Sequence, residues 1–301
     1  MNRLASDNRI QATATALGNF DGLHIGHAAV IAETLKFADR GLKPQIMLFD
    51  EHSMKAVTGK APPMLITAAD RDKLIREYGL EPCMVSFEKI RNFSPEEFVK
   101  KILVDELNSK AVVCGYNYRF GKNACGNAAV MRELCDKYSL ECVVVGEVDC
   151  DDFAVSSTEI RRAIENGEIG LANKMLGREW GFEAEVVHGD ARGRQWGFPT
   201  INQKIPEELV MPKFGVYASR VTVDGKEYSG VTNIGKRPTV GTEYVLCETN
   251  ILDFSGNLYG KTVRTKLTEF IRPEMKFDSF DELAAQVKSD KEKIKEVNAR
   301  V

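Results

Sequence analysis

The chain has 301 residues, of which 43% are hydrophobic and 28% charged, with a formal net charge of −3. That length is enough for two domains with separate cores, and the near-balanced charge excludes a global basic field that would draw in nucleic acid. No apolar run approaches the ~20 residues needed to cross a bilayer, and MNRLASDNRIQATATALG lacks the apolar stretch of a secretory signal. The 7 cysteines are odd in number and form no C-x-x-C pair. Reduced thiols in a cytoplasmic protein are therefore expected, with no structural zinc. No segment reads as a coiled coil or as an obvious exposed apolar patch, so the sequence does not fix the oligomeric state.

In chain order, QATATAL reads as a strand ending at Gly18, and Gly26 to Arg40 reads as a helix with Ile31, Leu35 and Ala38 on one face, stopping at Gly41. PQIMLF, CMVSF, KAVVCG and ECVVVG are short apolar runs of the kind buried in parallel sheets. Between them lie helical patterns, clearest in SPEEFVKKILVDELN, where Ser94 is the N-cap, Pro95 opens the first turn and Glu97 closes a capping box. Strand and helix alternating in this way predict a doubly wound α/β domain, with ligands outside the carboxyl ends of its strands.

After about residue 178 the pattern changes. EAEVVHG, VYASRVTV, KEYSGVTNIG, EYVLCETNILDF and KTVRTKLTEFI read as strands, joined by turn signals such as Asp224-Gly225 and Ser255-Gly256-Asn257. SFDELAAQVKSDKEKIKEV closes the chain as a helix with a Ser279–Glu282 capping box. The expected architecture is an α/β domain over residues 1–178 and a small antiparallel β-barrel with one helix over 179–301.

Two segments of the first half carry candidate chemistry. In GNFDGLHIGH, His24 and His27 sit three apart where a strand passes into a helix, and free backbone N–H groups there favour phosphate. Two imidazoles can donate to phosphoryl oxygens, and Gly18, Gly22 and Gly26 allow close approach. His52, after PQIMLF, is expected at the same sheet edge. The competing reading is a structural histidine, or a metal pair lacking its other ligands. In VSSTEIRRAI, Ser156 and Glu159 suit a capping box, while Ser157, Thr158 and Arg161 cluster where hydroxyls, amides and a guanidinium can grip phosphate.

In the second half, HGDARGRQWGFPTINQ reads either as a solvated loop or as a phosphate-binding flap leading to a metal platform. Thr200 and Asn202 are two apart, so in an extended segment both project from one face, and their oxygens suit Mg²⁺. Pro199 would fix the backbone ahead of them. Glu248, among apolar neighbours in YVLCETNILDF, either faces solvent or serves as a general base for a hydroxyl attacking ATP.

GNFDGLHIGH together with VSSTEIR resembles the H-x-G-H and S-S-T-x-I-R pair of the nucleotidyltransferase superfamily. SPEEFVKKIL and GYNYRFG narrow the resemblance to the N-terminal domain of bacterial bifunctional riboflavin kinase/FAD synthetases. RGRQWGFPTIN, FGVYA, VTNIGKRPT, CETNILDFSGNLYG and FIRPEMKFDS resemble the flavokinase domain of the same family, in order. The resemblance implies two reactions that each use ATP and Mg²⁺: riboflavin is phosphorylated to FMN, and FMN is adenylylated to FAD with release of pyrophosphate.

In the first site it implies that Gly18, Asn19, Phe20, Asp21, His24, His27, Ser157, Thr158 and Arg161 hold ATP, with His24 and His27 catalytic. His52 and Asn117 would lie near FMN or adenine. In the second it implies that Gly189, Arg192, Gly193, Gly197, Pro199, Thr200 and Asn202 hold the nucleotide, Thr200 and Asn202 with Mg²⁺. Glu248 would activate the ribityl hydroxyl, and Arg272 and Glu274 would frame the flavin. The chain departs from the family pattern at Glu51 and Ser53, at Asn117 where Asp is usual, at Trp196 and Ile201, and at Asn250 where His is usual, a change that sequence alone places outside the chemistry. The alternatives are a kinase with a weak or inactive adenylyltransferase, a flavin-binding protein without turnover, and another nucleotidyltransferase, which would leave the barrel motifs without a role.

Overall fold

The computed structural model describes residues 11–50, 61–151, 153–189, 198–239 and 242–299. Contacts divide the chain into two compact units, Met1–Pro62 with Ala68–Val155, and Pro63–Thr67 with Ser156–Val301. Residues 156–178, which the sequence pattern groups with the first half, thus pack with the second. Glu51, His52, Ser53, Arg192, Gly193, Trp196 and Gly197 lie outside the described residues.

The first unit is a parallel sheet built from β1 (Thr13–Leu17), β2 (Lys43–Phe49), β3 (Glu81–Val85), β4 (Ser109–Gly115) and β5 (Glu141–Val145), in the order β3-β2-β1-β4-β5. Its strands bury both faces, as a doubly wound sheet requires. Ala14, Ala16, Ile46, Leu48, Ala111 and Val113 pack on one side, while Leu17, Met47, Val112 and Cys114 pack on the other. Thr13 and Thr15 of QATATAL are buried, and neighbouring strands satisfy their hydroxyls. Gln45 donates to the hydroxyls of Thr13 and Thr15 at 3.1 and 2.9 Å, and Thr15 pairs with Ser109 at 2.7 Å.

Helices α1 (Ile25–Leu35) and α2 (Ala68–Glu77) precede the π-type helix α3 (Phe98–Glu106) and α4 (Ala128–Lys137). The predicted capping box is formed: Ser94 Oγ accepts from Glu97 N at 3.2 Å, and Glu97 Oε2 accepts from Ser94 N at 3.0 Å. The helix it starts then widens to π spacing, with Leu107 N donating to Ile102 O at 2.8 Å. The α1 segment likewise ends in a 3₁₀ turn, Lys36–Arg40, closed by Gly41 at φ 77°.

In the second unit, α5 (Ser157–Asn166) and α6 (Ile169–Leu176) lead into β6 (Trp180–Glu185), β7 (Ile201–Gln203), β8 (Gly215–Val223), β9 (Lys226–Thr239), β10 (Thr242–Ile251) and β11 (Thr262–Arg272). Their antiparallel order is β6-β11-β8-β9-β10-β7. The two edges meet just past β6, where Val187 bridges Asn202 with N donating to O at 2.8 Å. The sheet therefore curls into the predicted barrel, and closure removes an open edge. Asp224 and Gly225 take φ 49° and 81°, the pair of left-handed conformations that a two-residue hairpin needs. Helix α7 (Phe280–Ala299) lays Ile294 and Val297 against Ala218 and Leu252. At its start Ser279 Oγ accepts from Glu282 N, but the Glu282 carboxylate accepts from Asp278 N instead of completing a box on Ser279.

Candidate functional site

Strand order reverses between β1 and β4, so the crevice at their carboxyl ends is the switch point where α/β sheets take ligands. GNFDGLHIGH leaves β1 there and GYNYRFG leaves β4. The first turn is strained: Phe20, Gly22 and Leu23 have φ of 50°, 82° and 43°. Left-handed backbone costs a non-glycine residue ~1–2 kcal/mol. Phe20 and Leu23 meet that cost by burying their side chains at 0% and 1% exposure, in the cluster with Val30 and Ile31. Strain held in place by core packing brings the chain into α1 in one conformation.

His24 is the N-cap of α1, and its Nδ1 accepts from His27 N at 3.3 Å. An accepting Nδ1 places the neutral ring's proton on Nε2, which is then a donor. The rings of His24 and His27 stack at 3.6 Å between centroids, and His27 also meets Phe20 at 5.1 Å. Asp21 and His24 are buried, Gly18 and His27 are half-buried, and Asn19 is exposed. The sequence anticipated two imidazoles on one side of a helix turn. The structure adds that one of them caps that turn.

After β4, Tyr118 N donates to Gly115 O at 3.1 Å, turning the chain so that Asn117 Oδ1 lies 3.4 Å from where a Gly115 Cβ would stand. Tyr118 stacks on Phe120 and joins the core, where burial raises its phenol pKa. In the second unit Ser156 caps α5 by accepting from Glu159 N at 3.2 Å. Glu159 pairs with Arg162 rather than reaching back, so this is an N-cap in which the Glu159 carboxylate serves Arg162. Arg161 Nε donates to Pro63 O at 2.6 Å, with Ser157 half-buried and Thr158 exposed in the same first turn.

The barrel contains a cavity of about 320 Å³ whose wall includes Pro199, Thr200, Asn202, Thr249, Phe254 and Tyr259. Asn202 is 4% exposed, and among the described residues its Oδ1 has no hydrogen-bond partner. A buried carboxamide oxygen and a threonine hydroxyl on the wall of one cavity fit the hard-oxygen set of a Mg²⁺ site. Among the described residues there is no cluster of three or more His, Cys, Asp or Glu that could hold a metal; Mg²⁺ bound with a nucleotide ordinarily keeps phosphate and water among its ligands. Gly189 is needed for close packing: a Cβ there would lie 2.6 Å from Nδ2 and 2.7 Å from Oδ1 of Asn202.

Glu248 is not part of the cavity wall, but it is directly across the ladder from Asn202 on one side and from Asn233 on the other. Cross-strand partners share a face. Its neighbours Cys247 and Thr249 point the other way and are fully buried, and burial pushes the Cys247 thiol up to about 12. Glu248 itself is half-buried, beside the proposed metal platform.

Arg272 has a different surrounding. Its guanidinium makes a bidentate pair with Asp290 of α7, Nε to Oδ2 at 3.1 Å and Nη2 to Oδ2 at 2.8 Å with Nε also near Oδ1, and Gln286 donates to Asp290 at 2.8 Å. With side chains 15% and 4% exposed, the pair ties the last strand to the last helix. Asp290→Ala strands a buried cation and should lower unfolding stability by about 3 kcal/mol, measured by urea denaturation. Glu274 packs on Gly235. Sequence reading missed the stack of His188 on Tyr259, at 4.0 Å between centroids, and the hydrogen bond from Asn250 to the Pro199 carbonyl. Contacts between residues so far apart in sequence leave no trace in local spacing.

Residues 6–159 match the FAD synthetase family model, and residues 176–298 match the riboflavin kinase model. A bifunctional riboflavin kinase/FMN adenylyltransferase of Bacillus subtilis is 35% identical over 285 residues, covering 92% of this chain and 90% of its own. One from Haemophilus influenzae is 33% identical, covering 97% and 96%. This chain belongs to the bifunctional riboflavin kinase/FMN adenylyltransferase family. It is an enzyme of FMN and FAD biosynthesis, and both halves have a role in that family, which sets aside a nucleotidyltransferase of another pathway. A crystal structure described as a macrolide-efflux protein from Streptococcus pneumoniae superposes with a TM-score of 0.86 at 31% identity, covering 94% of this chain and 93% of that one. Among the described residues of this chain, no helix is long and apolar enough to cross a membrane.

Proposed function

We propose that the barrel unit transfers the γ-phosphoryl group of ATP to the terminal ribityl hydroxyl of riboflavin, with Glu248 as the base. The observation that carries this reading is the ladder pairing of Glu248 with Asn202. It sets Glu248 directly opposite Asn202, which lines the cavity that would take the triphosphate and whose buried Oδ1 has no partner among the described residues. Glu248 accepts the hydroxyl proton as the oxygen attacks phosphorus, and ADP leaves. Thr200 and Asn202 hold Mg²⁺ with the nucleotide, and the ion supplies charge neutralisation on the phosphates. Gly189 keeps the Asn202 amide seated, while Arg192, Gly193 and Gly197 belong to the phosphate-binding flap. Arg272, which also pairs with Asp290, and Glu274 frame the flavin.

For the adenylyl transfer, a phosphate oxygen of FMN attacks the α-phosphorus of ATP and pyrophosphate departs. The residues Gly18 to Asp21, with His24 and His27, line the ATP side of this step at the start of α1, where the helix dipole and imidazole donors stabilise charge on the phosphates. Ser157, Thr158 and Arg161 take the triphosphate, and His52 and Asn117 adjoin the FMN or adenine. The domains that carry the two activities are residues 1–178 and 179–301, and the enzyme works in the cytoplasm on riboflavin, FMN and ATP, without nucleic acid or membrane.

Incubation with riboflavin, ATP and Mg²⁺, followed by chromatographic separation of flavins, should yield FMN first and FAD after it. FMN accumulating without FAD would identify a kinase with a silent first unit. Bound flavin with no ATP consumed would identify a non-catalytic binder.

A further inference from the structure

We propose that Asn250 is a positioning residue of the kinase site, its carboxamide holding the Pro199 carbonyl so that Thr200 and Asn202 present their oxygens together. The inference rests on the kinase reading of that segment. The ladder between β10 and β7 pairs Cys247, Glu248 and Thr249 with Gln203, Asn202 and Ile201, and it ends there. Pro199 and Thr200 lie beyond it, so the sheet leaves them unheld. Asn250 reaches past the end of the ladder: its Nδ2 donates to Pro199 O at 2.6 Å, from a side chain only 8% exposed. Proline has no N–H, so that carbonyl is its one main-chain hydrogen-bonding group.

One residue earlier, Lys291 of α7 places its Nζ 4.7 Å from the centroid of the Phe198 ring. Thr200 therefore sits between two fixed points, a side-chain clamp at Phe198 and Pro199 and a strand ladder from Ile201 onward. Asn250 is two residues from Glu248, and on a strand that spacing means one face. A single strand would thus supply the base and also set the metal platform. The position where the family usually has His, remote from the chemistry on sequence alone, carries this clamp, and both side chains can donate an N–H.

Asn250→Leu keeps the volume and removes the donor. It should weaken Mg·ADP binding, measured by titration calorimetry without riboflavin, by about tenfold or more. KM for Mg·ATP should rise in parallel, while KM for riboflavin stays as in the wild type. Asn250→His should restore Mg·ADP affinity, which a packing role alone would not do. If the leucine variant fails to fold, Asn250→Ala provides the same reading.

A variant without the donor that binds Mg·ADP as the wild type does, with only its melting temperature lowered, overturns the inference. Asn202→Ala separates the two levels of the argument. If it weakens Mg·ADP binding while Asn250→Leu does not, the clamp is wrong and the platform stands. If it leaves binding unchanged, the platform is wrong and the clamp falls with it.

Discussion

Glu248→Gln should reduce FMN formation from riboflavin by about 10²- to 10⁴-fold, the usual contribution of a general base, while supplied FMN is still converted to FAD at the wild-type rate. Gln is isosteric with Glu and cannot accept the proton, so the substitution tests the chemistry with little disturbance to packing. The residue is half-buried and its strand is held by ladder bonds on both sides, to Asn233 and Asn202, which involve the backbone and survive the change. Cys247 and Thr249, pointing into the core, keep the strand's inner face. Mg·ADP affinity should also persist, because the platform at Thr200 and Asn202 is untouched. A glutamine variant that makes FMN at more than about a tenth of the normal rate would remove Glu248 from the role of base. Loss of both reactions together would contradict two independent sites.

How far the sequence discloses these features depends on the range of the interaction involved. The β-strands were legible because burial on two faces imposes runs such as KAVVCG, and burial on one face inside a barrel imposes alternation. The Ser94 capping box was legible because all its partners lie within four residues. What lay beyond reach was the widening of α3 to π spacing, which local pattern does not encode. So was the packing of residues 156–178 with the barrel, since helical periodicity says that a face is buried but not against what.

The candidate sites divide in the same way. H-x-x-H and P-T-x-N can be read directly, because a helix start and a strand project residues at fixed spacings. Their supports cannot. The pairing of Arg272 with Asp290, 18 residues on, is not visible in the local pattern around FIRPEMKFDS. Asn250 looks like an unrelated change until its amide is found on a carbonyl 51 residues earlier.

The first unit offers the second large effect. His27→Ala should slow conversion of FMN to FAD by about 10²- to 10³-fold, as expected for loss of one donor to a developing phosphate charge, and leave FMN formation from riboflavin unchanged. His27 is a cleaner test than His24 because of the cap. The bond that starts α1 runs from the backbone N–H of His27 to the His24 ring, so removing the His27 side chain leaves donor and acceptor in place. What disappears is the imidazole stacked on His24 at 3.6 Å and leaning on Phe20. His24→Ala would delete the cap as well, a loss of ~1 kcal/mol that confuses folding with catalysis. His24→Asn should keep an accepting oxygen at the helix start and so retain the melting temperature of the wild type, while still losing FAD formation. If both histidine variants fold and make FAD at the normal rate, the stacked pair is a capping device and phosphate is handled elsewhere.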